Sequence, residues 1–265
     1  MAGECRAGRR LWVEAGRSSS TVHRAEAEGL EAMPNLAEAA SSADLVVSIC
    51  PPDSAVEVAS AVAEVGYRGL YLDANAISPA TMAVVASRLD SVVDGGVIGP
   101  PPNNPGTTRL YLASSDRSTA DWVAELWTGS NLGAVPIDVD DQANPFPASA
   151  LKMVYAAWTK GSAALLTTVV AAAAGLGVDE KLKAEWDLSQ PGLVERAERT
   201  AAGVAPKAWR FKGEMTEIAA TFADAGVPDG FWRTAEEVYE QLSPLKHERS
   251  PGLDEVINLL IRSGR

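Results

Sequence analysis

Asp44-Leu-Val-Val-Ser-Ile-Cys50 runs straight into Pro51-Pro52, an apolar, β-branched stretch that stops at residues unable to extend it. The pattern recurs twice. Gly69-Leu-Tyr-Leu72 ends at Asp73-Ala-Asn75-Ala-Ile-Ser-Pro79, and Ser91-Val-Val93 ends at Asp94-Gly-Gly-Val-Ile-Gly-Pro100. Segments of helix length separate the three runs, which predicts consecutive buried strands of a parallel sheet. The carboxyl ends of such strands share one edge, and ligands bind in the crevice beside it. Function is expected there.

Outward from this centre, Leu11–Ala15 reads as a short strand that gives way to Gly16-Arg17-Ser18-Ser19-Ser20-Thr21. A helix over Val22–Ala27 follows, with Thr21 or a neighbouring serine as its cap. Further helices are predicted at Leu36–Ala40, at Pro52–Val65 (begun by Asp53 or Ser54), and at Pro79–Leu89. The last has Ser78 as cap and Pro79 at its first position, where a missing N–H costs nothing. Arg109–Ala113 reads as a strand and Thr119–Trp127 as a helix. The alternation predicts an α/β sheet with helices on both faces.

The pattern changes after Val139. Asp140–Pro147 is turn-rich and holds two prolines, and from Ala148 onward the periodicity is helical. A long helix is predicted over Ala148–Ala174, stopped by Gly175 or Gly177. Shorter helices are expected at Asp179–Trp186, Leu193–Ala202, Phe211–Ala225, Phe231–Leu242 and Leu253–Arg262. The reading is an α/β domain at 1–140 and an all-α domain at 141–265, joined near Asp141.

Composition narrows the function classes. Hydrophobic residues make up 46% and charged residues 22%, an ordinary globular balance. A net charge of −12 argues against nucleic acid or an anionic membrane as a partner. Cys5 and Cys50 are the only cysteines and suit a reducing, cytoplasmic setting; His23 and His247 are the only histidines, and no metal-ligand spacing occurs. Gly161–Val178 carries no charge, but its Ala, Gly, Ser and Thr content suits a buried or subunit-contact helix better than a membrane span.

Two clusters could carry chemistry. An arginine after the second strand of a dinucleotide-binding sheet accommodates a 2′-phosphate, where an acidic residue would bond a free 2′-hydroxyl. Arg17 with its flanking hydroxyls fits that role, and fits equally an exposed helix cap. Lys152, Tyr155 and Thr159, spaced i, i+3, i+7, share one face of the long helix. A lysine partly desolvated there could exchange a proton near neutrality, although most helix lysines are simply solvated. Asp94 suits a cap or turn better than an acid–base group, and Cys50 suits a small buried hydrophobe. No G-x-G-x-x-G turn follows a strand in residues 1–10, and Ala7-Gly8 reads as the end of a helix.

Asp73-x-Asn75-Ala-Ile-Ser-Pro79, Asp94-Gly-Gly-Val-Ile-Gly-Pro-Pro, Gly106-Thr-Thr-Arg-Leu-Tyr111, Ser149-Ala-Leu-Lys-Met153, Lys207-Ala-Trp-Arg-Phe211 and Gly213-Glu-Met215 occur in that order. Together they resemble the β-hydroxyacid dehydrogenase / 6-phosphogluconate dehydrogenase superfamily, nearest the branch with a phosphogluconate-dehydrogenase-like helical C-terminal domain. The resemblance runs from about Ala7 to Leu242. It implies a Rossmann-type NAD(P)-binding domain, here N-terminally truncated and lacking the first βα unit, then a helical domain that forms homodimers. It also implies hydride transfer at the nicotinamide. Lys152 matches the family's proton-transfer lysine. Arg17, Ser18 and Thr21 match its ribose-phosphate turn, Cys50-Pro51-Pro52 and Asn75 the strand ends lining the nucleotide, and Ile98-Gly99-Pro100 its substrate-carboxylate loop; Tyr155 joins the substrate set. The sequence departs from the family at Ile98 and Pro100, which stand in a Ser-Gly-Gly loop. Ala156 stands where the family has an asparagine, Asn144-Pro-Phe-Pro147 replaces small residues, and Gly213 replaces a later lysine, with Lys212 one place off.

The expected function is therefore an NADP-preferring oxidoreductase, with NAD as the alternative cofactor, acting on a small hydroxy, oxo or imino substrate. Its rivals are a catalytically silent or truncated dimerising homologue and a small-ligand sensor without turnover.

Overall fold

The computed structural model describes residues 5–6, 8–140 and 142–263. Asp141, placed above at the domain junction, and Ala7, read as part of a helix end, lie outside the described residues. The chain forms two compact units that divide between Met153 and Val154.

The first unit runs β1 (Leu11–Val13), α1 (Ser19–Ala27), β2 (Glu31–Met33), α2 (Leu36–Ser41), β3 (Leu45–Ser48), α3 (Ala55–Glu64), β4 (Leu70–Asp73), α4 (Pro79–Ala86), β5 (Val92–Ile98), β6 (Thr108–Ala113), α5 (Arg117–Glu125) and β7 (Leu132–Pro136). A five-stranded sheet has the order β3-β4-β5-β6-β7. The three stretches quoted at the outset are its parallel strands β3, β4 and β5.

Burial on both faces explains the apolar character of β4 and β5, whereas β3, at the sheet edge, leaves Val47 exposed. Along β4, Tyr71 packs with Ala55, Ala59, Val62, Met82 and Val85 from α3 and α4. Its neighbour Leu72 faces the other way, toward Leu110, Ala120, Val123 and Trp127. Successive side chains of a strand point to opposite faces, so helices on both sides require an unbroken apolar run. Ser78 caps α4 as expected, accepting from the Thr81 amide at 3.1 Å, with Pro79 in its first turn.

Four local expectations change. Asp94–Ile98, read as a cluster ending a strand, continues β5, and β6 runs antiparallel to it. The extension is paired residue for residue, Asp94 with Ala113 through Ile98 with Arg109. Two short strands escaped notice: β2, which is largely exposed, and β7, which contains both Gly133 and Pro136. β1 and β2 pair in a parallel two-stranded sheet of their own, where a single sheet was expected; in a doubly wound order such strands join the rest only through a strand between the two groups. Finally, Pro52–Ser54 is a 3₁₀ turn ahead of α3, and the start of α3 has no side-chain cap from Ser54.

The second unit is helical. α6 (Pro147–Gly175) begins in the first unit and continues into it, followed by α7 (Asp179–Ser189), α8 (Leu193–Val204), α9 (Ala208–Asp224), α10 (Gly230–Leu242) and α11 (Leu253–Ser263). Leu166, Val170 and Ala171 of α6 pack with Ala197 and Ile257, flanked by Trp186, Leu193 and Leu253. Lys160 and Glu214 form a largely buried ion pair; the Lys160 ammonium also lies 4.9 Å from the Phe211 ring centroid. No helix among the described residues is long and apolar enough to cross a membrane.

Gly161 sits where a Cβ would collide with the Trp232 ring and press on Phe231, so the backbone of α6 carries these aromatics directly. Gly161→Val is expected to lower stability by about 1–3 kcal/mol through overpacking, read as a fall in the urea midpoint; an unchanged midpoint would show that the contact tolerates a side chain.

Candidate active site

The site is built at the carboxyl ends of β3, β4 and β5 and on the first turns of α6. Asp94, 3% exposed within β5, points its carboxylate at the start of that helix. It accepts from the Ala148 amide at 2.8 Å, the Ser149 amide at 3.1 Å and the Ser149 hydroxyl at 2.5 Å. A helix's first N–H groups have no partner within the helix, and an anion there also suits the helix dipole. Asp94 is thus a cap for α6 delivered from a strand more than fifty residues earlier.

That cap explains why the first turns of α6 belong with the α/β unit rather than with the helices, some thirteen residues beyond the junction expected from composition. Two glycines permit the approach. A Cβ on Gly96 would stand 2.5 Å from the Ala148 carbonyl oxygen and 3.2 Å from Lys152 Cβ; one on Gly95 would stand 2.5 Å from the Asp73 carbonyl oxygen.

Lys152 follows one turn after the cap, half-buried, and its ammonium donates to the Val97 carbonyl at 2.6 Å. The lysine is therefore held against the exit of β5. Tyr155 lies one turn further along α6 and is 47% exposed, and Ala156 is buried. Thr159 turns its hydroxyl back to the helix, toward the Ala156 carbonyl at 3.2 Å.

A second network ties the strand ends together. Asn75, 2% exposed, donates to Asp73 at 2.8 Å and to the Ser48 hydroxyl at 3.0 Å, while its oxygen accepts from the Cys50 amide at 2.6 Å. The amide of Asn75 is thus engaged with protein and shapes the crevice edge from within. Cys50 is half-buried, and burial pushes its thiol up, against the effect of the Ser48 hydrogen bond. Arg17 also acts on that thiol through its charge, which puts the Arg17 turn within electrostatic reach of the β3 end. Pro51 is exposed and Pro52 buried at the start of the 3₁₀ turn.

Ser18 caps α1, accepting from the Thr21 amide, and its hydroxyl lies 3.1 Å from that of Thr21. Arg24 donates to the Thr21 hydroxyl at 2.9 Å. Arg17 is exposed, with no side-chain hydrogen bond or ion pair among the described residues. At the other end of the candidate set, Ile98 is a buried strand residue and only Gly99 and Pro100 enter the loop. Gly99 has φ +129°, and the Thr108 hydroxyl closes the loop onto the Pro100 carbonyl.

Asp94, Asp73, Ser149 and the Val97 carbonyl went unassigned as site residues in the sequence. The available signal was an acidic residue ending two neighbouring apolar runs: Asp73 and Asp94 are register partners on adjacent strands. Burial pushes the Asp94 carboxyl up to about 6, against hydrogen bonds from Ser149 and Ala148. Burial likewise lifts Asp73 to about 6, against its bonds from Asn75, with the Asp94 charge adding to the rise.

A carboxyl raised in the folded state binds its proton more tightly than in the unfolded chain, so its stabilising share is complete below about pH 4 and is lost as pH rises through about 6. We expect the pair to cost roughly 4–6 kcal/mol across that window. The check is a urea titration from pH 4 to 7 comparing wild type with Asp73→Asn/Asp94→Asn. The difference should shift by that amount; a flat difference would show both carboxyls titrating normally.

Residues 173–242 match the model of DUF1932, a domain of unknown function. An uncharacterized 28.5 kDa protein of Methanothermus fervidus is 29% identical over 206 residues, 77% of each chain. Among solved structures, a conserved hypothetical protein from Sinorhizobium meliloti 1021 is 23% identical with a TM-score of 0.62, covering 98% of this chain and 92% of that one. The 3-hydroxyisobutyrate dehydrogenase of Mycobacterium tuberculosis, determined with L-serine, is 14% identical with a TM-score of 0.66 over 98% and 93% of the two chains. The chain therefore has the fold of the 3-hydroxyacid dehydrogenase-like proteins, an α/β domain followed by a helical one that here carries a DUF1932 segment.

Proposed function

We propose that this protein is an NADP-preferring oxidoreductase that moves a hydride between the nicotinamide and a small hydroxy, oxo or imino substrate. The observation that carries the reading is Lys152, fixed against the exit of β5 by its 2.6 Å bond to the Val97 carbonyl and by the Asp94 cap beneath its helix. An amine so placed can hold or release a proton at the crevice edge where α/β sheets bind their ligands.

The residues of the α1 turn suit a ribose phosphate. Arg17 offers an exposed guanidinium, and Ser18 and Thr21 offer hydroxyls at a helix N-terminus. Cys50, Pro51 and Pro52 would line the nucleotide, with Asn75 holding that edge in place. The bound nicotinamide supplies or accepts the hydride. Lys152 would do the complementary work: as the neutral amine it would accept the hydroxyl proton during oxidation, and as the ammonium it would return one to the carbonyl or imine during reduction. Gly99 and Pro100 would meet the substrate's polar end, with Tyr155 beside them. The fold resemblance to a 3-hydroxyisobutyrate dehydrogenase determined with L-serine supports a small, polar substrate class.

A second reading is a silent homologue or a ligand sensor without turnover. NADPH fluorescence titration separates the readings at the cofactor step. Saturable binding is expected, and Arg17→Ala should weaken it about 10–100-fold, as loss of a charge-assisted contact implies, with little effect on NADH. Equal effects on both nucleotides would remove Arg17 from the phosphate site.

For the chemical step, a panel of 3-hydroxy acids, including 3-hydroxyisobutyrate and L-serine, is followed at the nicotinamide absorbance. Lys152→Ala should reduce kcat by about 100-fold or more, the usual scale of general acid–base catalysis. A loss below tenfold overturns its role.

A further inference from the structure

Lys152 is anchored at the Val97 carbonyl, so the chain that follows Val97 forms a wall beside its ammonium. That wall is poor in groups able to hold an anion. Ile98 is buried, so the last side chain of β5 is apolar and turned inward. Pro100, Pro101 and Pro102 have no N–H, which leaves Gly99 as the single backbone donor from residue 99 to residue 102.

The donors that follow are turned back on the loop itself. The Asn103 amide donates to the Pro101 carbonyl at 2.7 Å, and the Thr107 hydroxyl to the Asn104 carbonyl at 2.8 Å. The Thr108 hydroxyl donates to the Pro100 carbonyl. Arg109, the register partner of Ile98, gives a guanidinium N–H to the Gly106 carbonyl at 3.1 Å. The side-chain amides of Asn103 and Asn104 are exposed and uncharged. On the neighbouring strand ends lie the carboxyls of Asp73 and Asp94, in a chain of net charge −12. A carboxylate is held by converging N–H donors or by a guanidinium fork. Here it would meet proline rings, carbonyl oxygens and a negative field.

We propose that the substrate of this crevice bears no carboxylate: it is an uncharged hydroxy, oxo or imino compound whose carbon skeleton packs on the exposed rings of Pro100 and Pro101. The inference rests on the hydride-transfer reading above and narrows it. Stripping water from an anion without replacement donors is costly, whereas an ester of the same skeleton gives up far less hydration. The positive charge at the wall, the Lys152 ammonium, is engaged with Val97 and, in that reading, with the reacting oxygen or nitrogen.

Pairs that differ only in the carboxylate test the assignment: 3-hydroxyisobutyrate against its methyl ester, and 3-hydroxybutyrate against its methyl ester. With NADP and the nicotinamide absorbance as signal, kcat/KM should favour each ester at least tenfold, about the scale of one charge-assisted contact. Pro100→Ala/Pro101→Ala returns two N–H groups to the wall and should cut that ratio at least threefold. Saturation-transfer NMR on the full chain without nucleotide adds a readout free of turnover, in which the esters should give the stronger signal. Acids turned over as well as their esters, or a ratio unmoved in the double variant, overturn the substrate class and leave hydride transfer standing. Absence of both NADPH binding and turnover removes the hydride-transfer reading instead. The preference of the crevice is then decided by the NMR signals: stronger ester signals support it, and equal signals from acid and ester overturn it.

Discussion

The carboxylate of Asp94 against the first amides of α6 is the interaction on which the candidate site depends. It joins a strand to a helix that begins more than fifty residues later, and it answers two demands together. The helix has N–H groups that need an acceptor, and the aspartate is a buried charge that needs donors. Neither is satisfied without the other. Because Lys152 follows one turn behind, whatever fixes the cap also fixes where the ammonium emerges.

Close approach makes this possible and sets its limits. Gly95 and Gly96 are buried strand residues whose missing side chains admit the Asp73 backbone on one side and the start of α6 on the other. The carboxyls of Asp73 and Asp94, neighbours across two strands, are held protonated to higher pH than usual by burial. Burying two acids beside a proposed proton-exchanging lysine is costly in stability, and the hydrogen bonds from Asn75, Ala148 and Ser149 offset part of that cost. Polar groups this deep are tolerated where they organise a site.

α6 also carries different work along its length. Its first two turns are capped and close-packed on the α/β unit and hold Lys152. Further on, small residues on the inner face let neighbouring helices come near, as at Gly161 beneath Trp232, while the outer face stays apolar and uncovered. The uncharged segment, whose small-residue composition already suited a packing helix better than a membrane span, thus has two distinct faces in the structure.

Fold class and element types were legible because they rest on local rules. Apolar runs stopped by Pro, Asp and Gly mark buried parallel strands, Ser78-Pro79 starts α4, and periodicity marks the helices to within a few residues. Lys152 and Arg17 stood out by residue type and position after predicted elements. What only the tertiary structure decided is pairing. That Asp94–Ile98 is strand depends on β6 lying antiparallel beside it, and that Asn75 is a brace depends on Ser48 and Cys50, more than twenty residues away in sequence. Caps, register and the direction a helix faces are relations between distant residues, and periodicity and residue spacing within a single sequence specify only what each residue prefers beside its immediate neighbours.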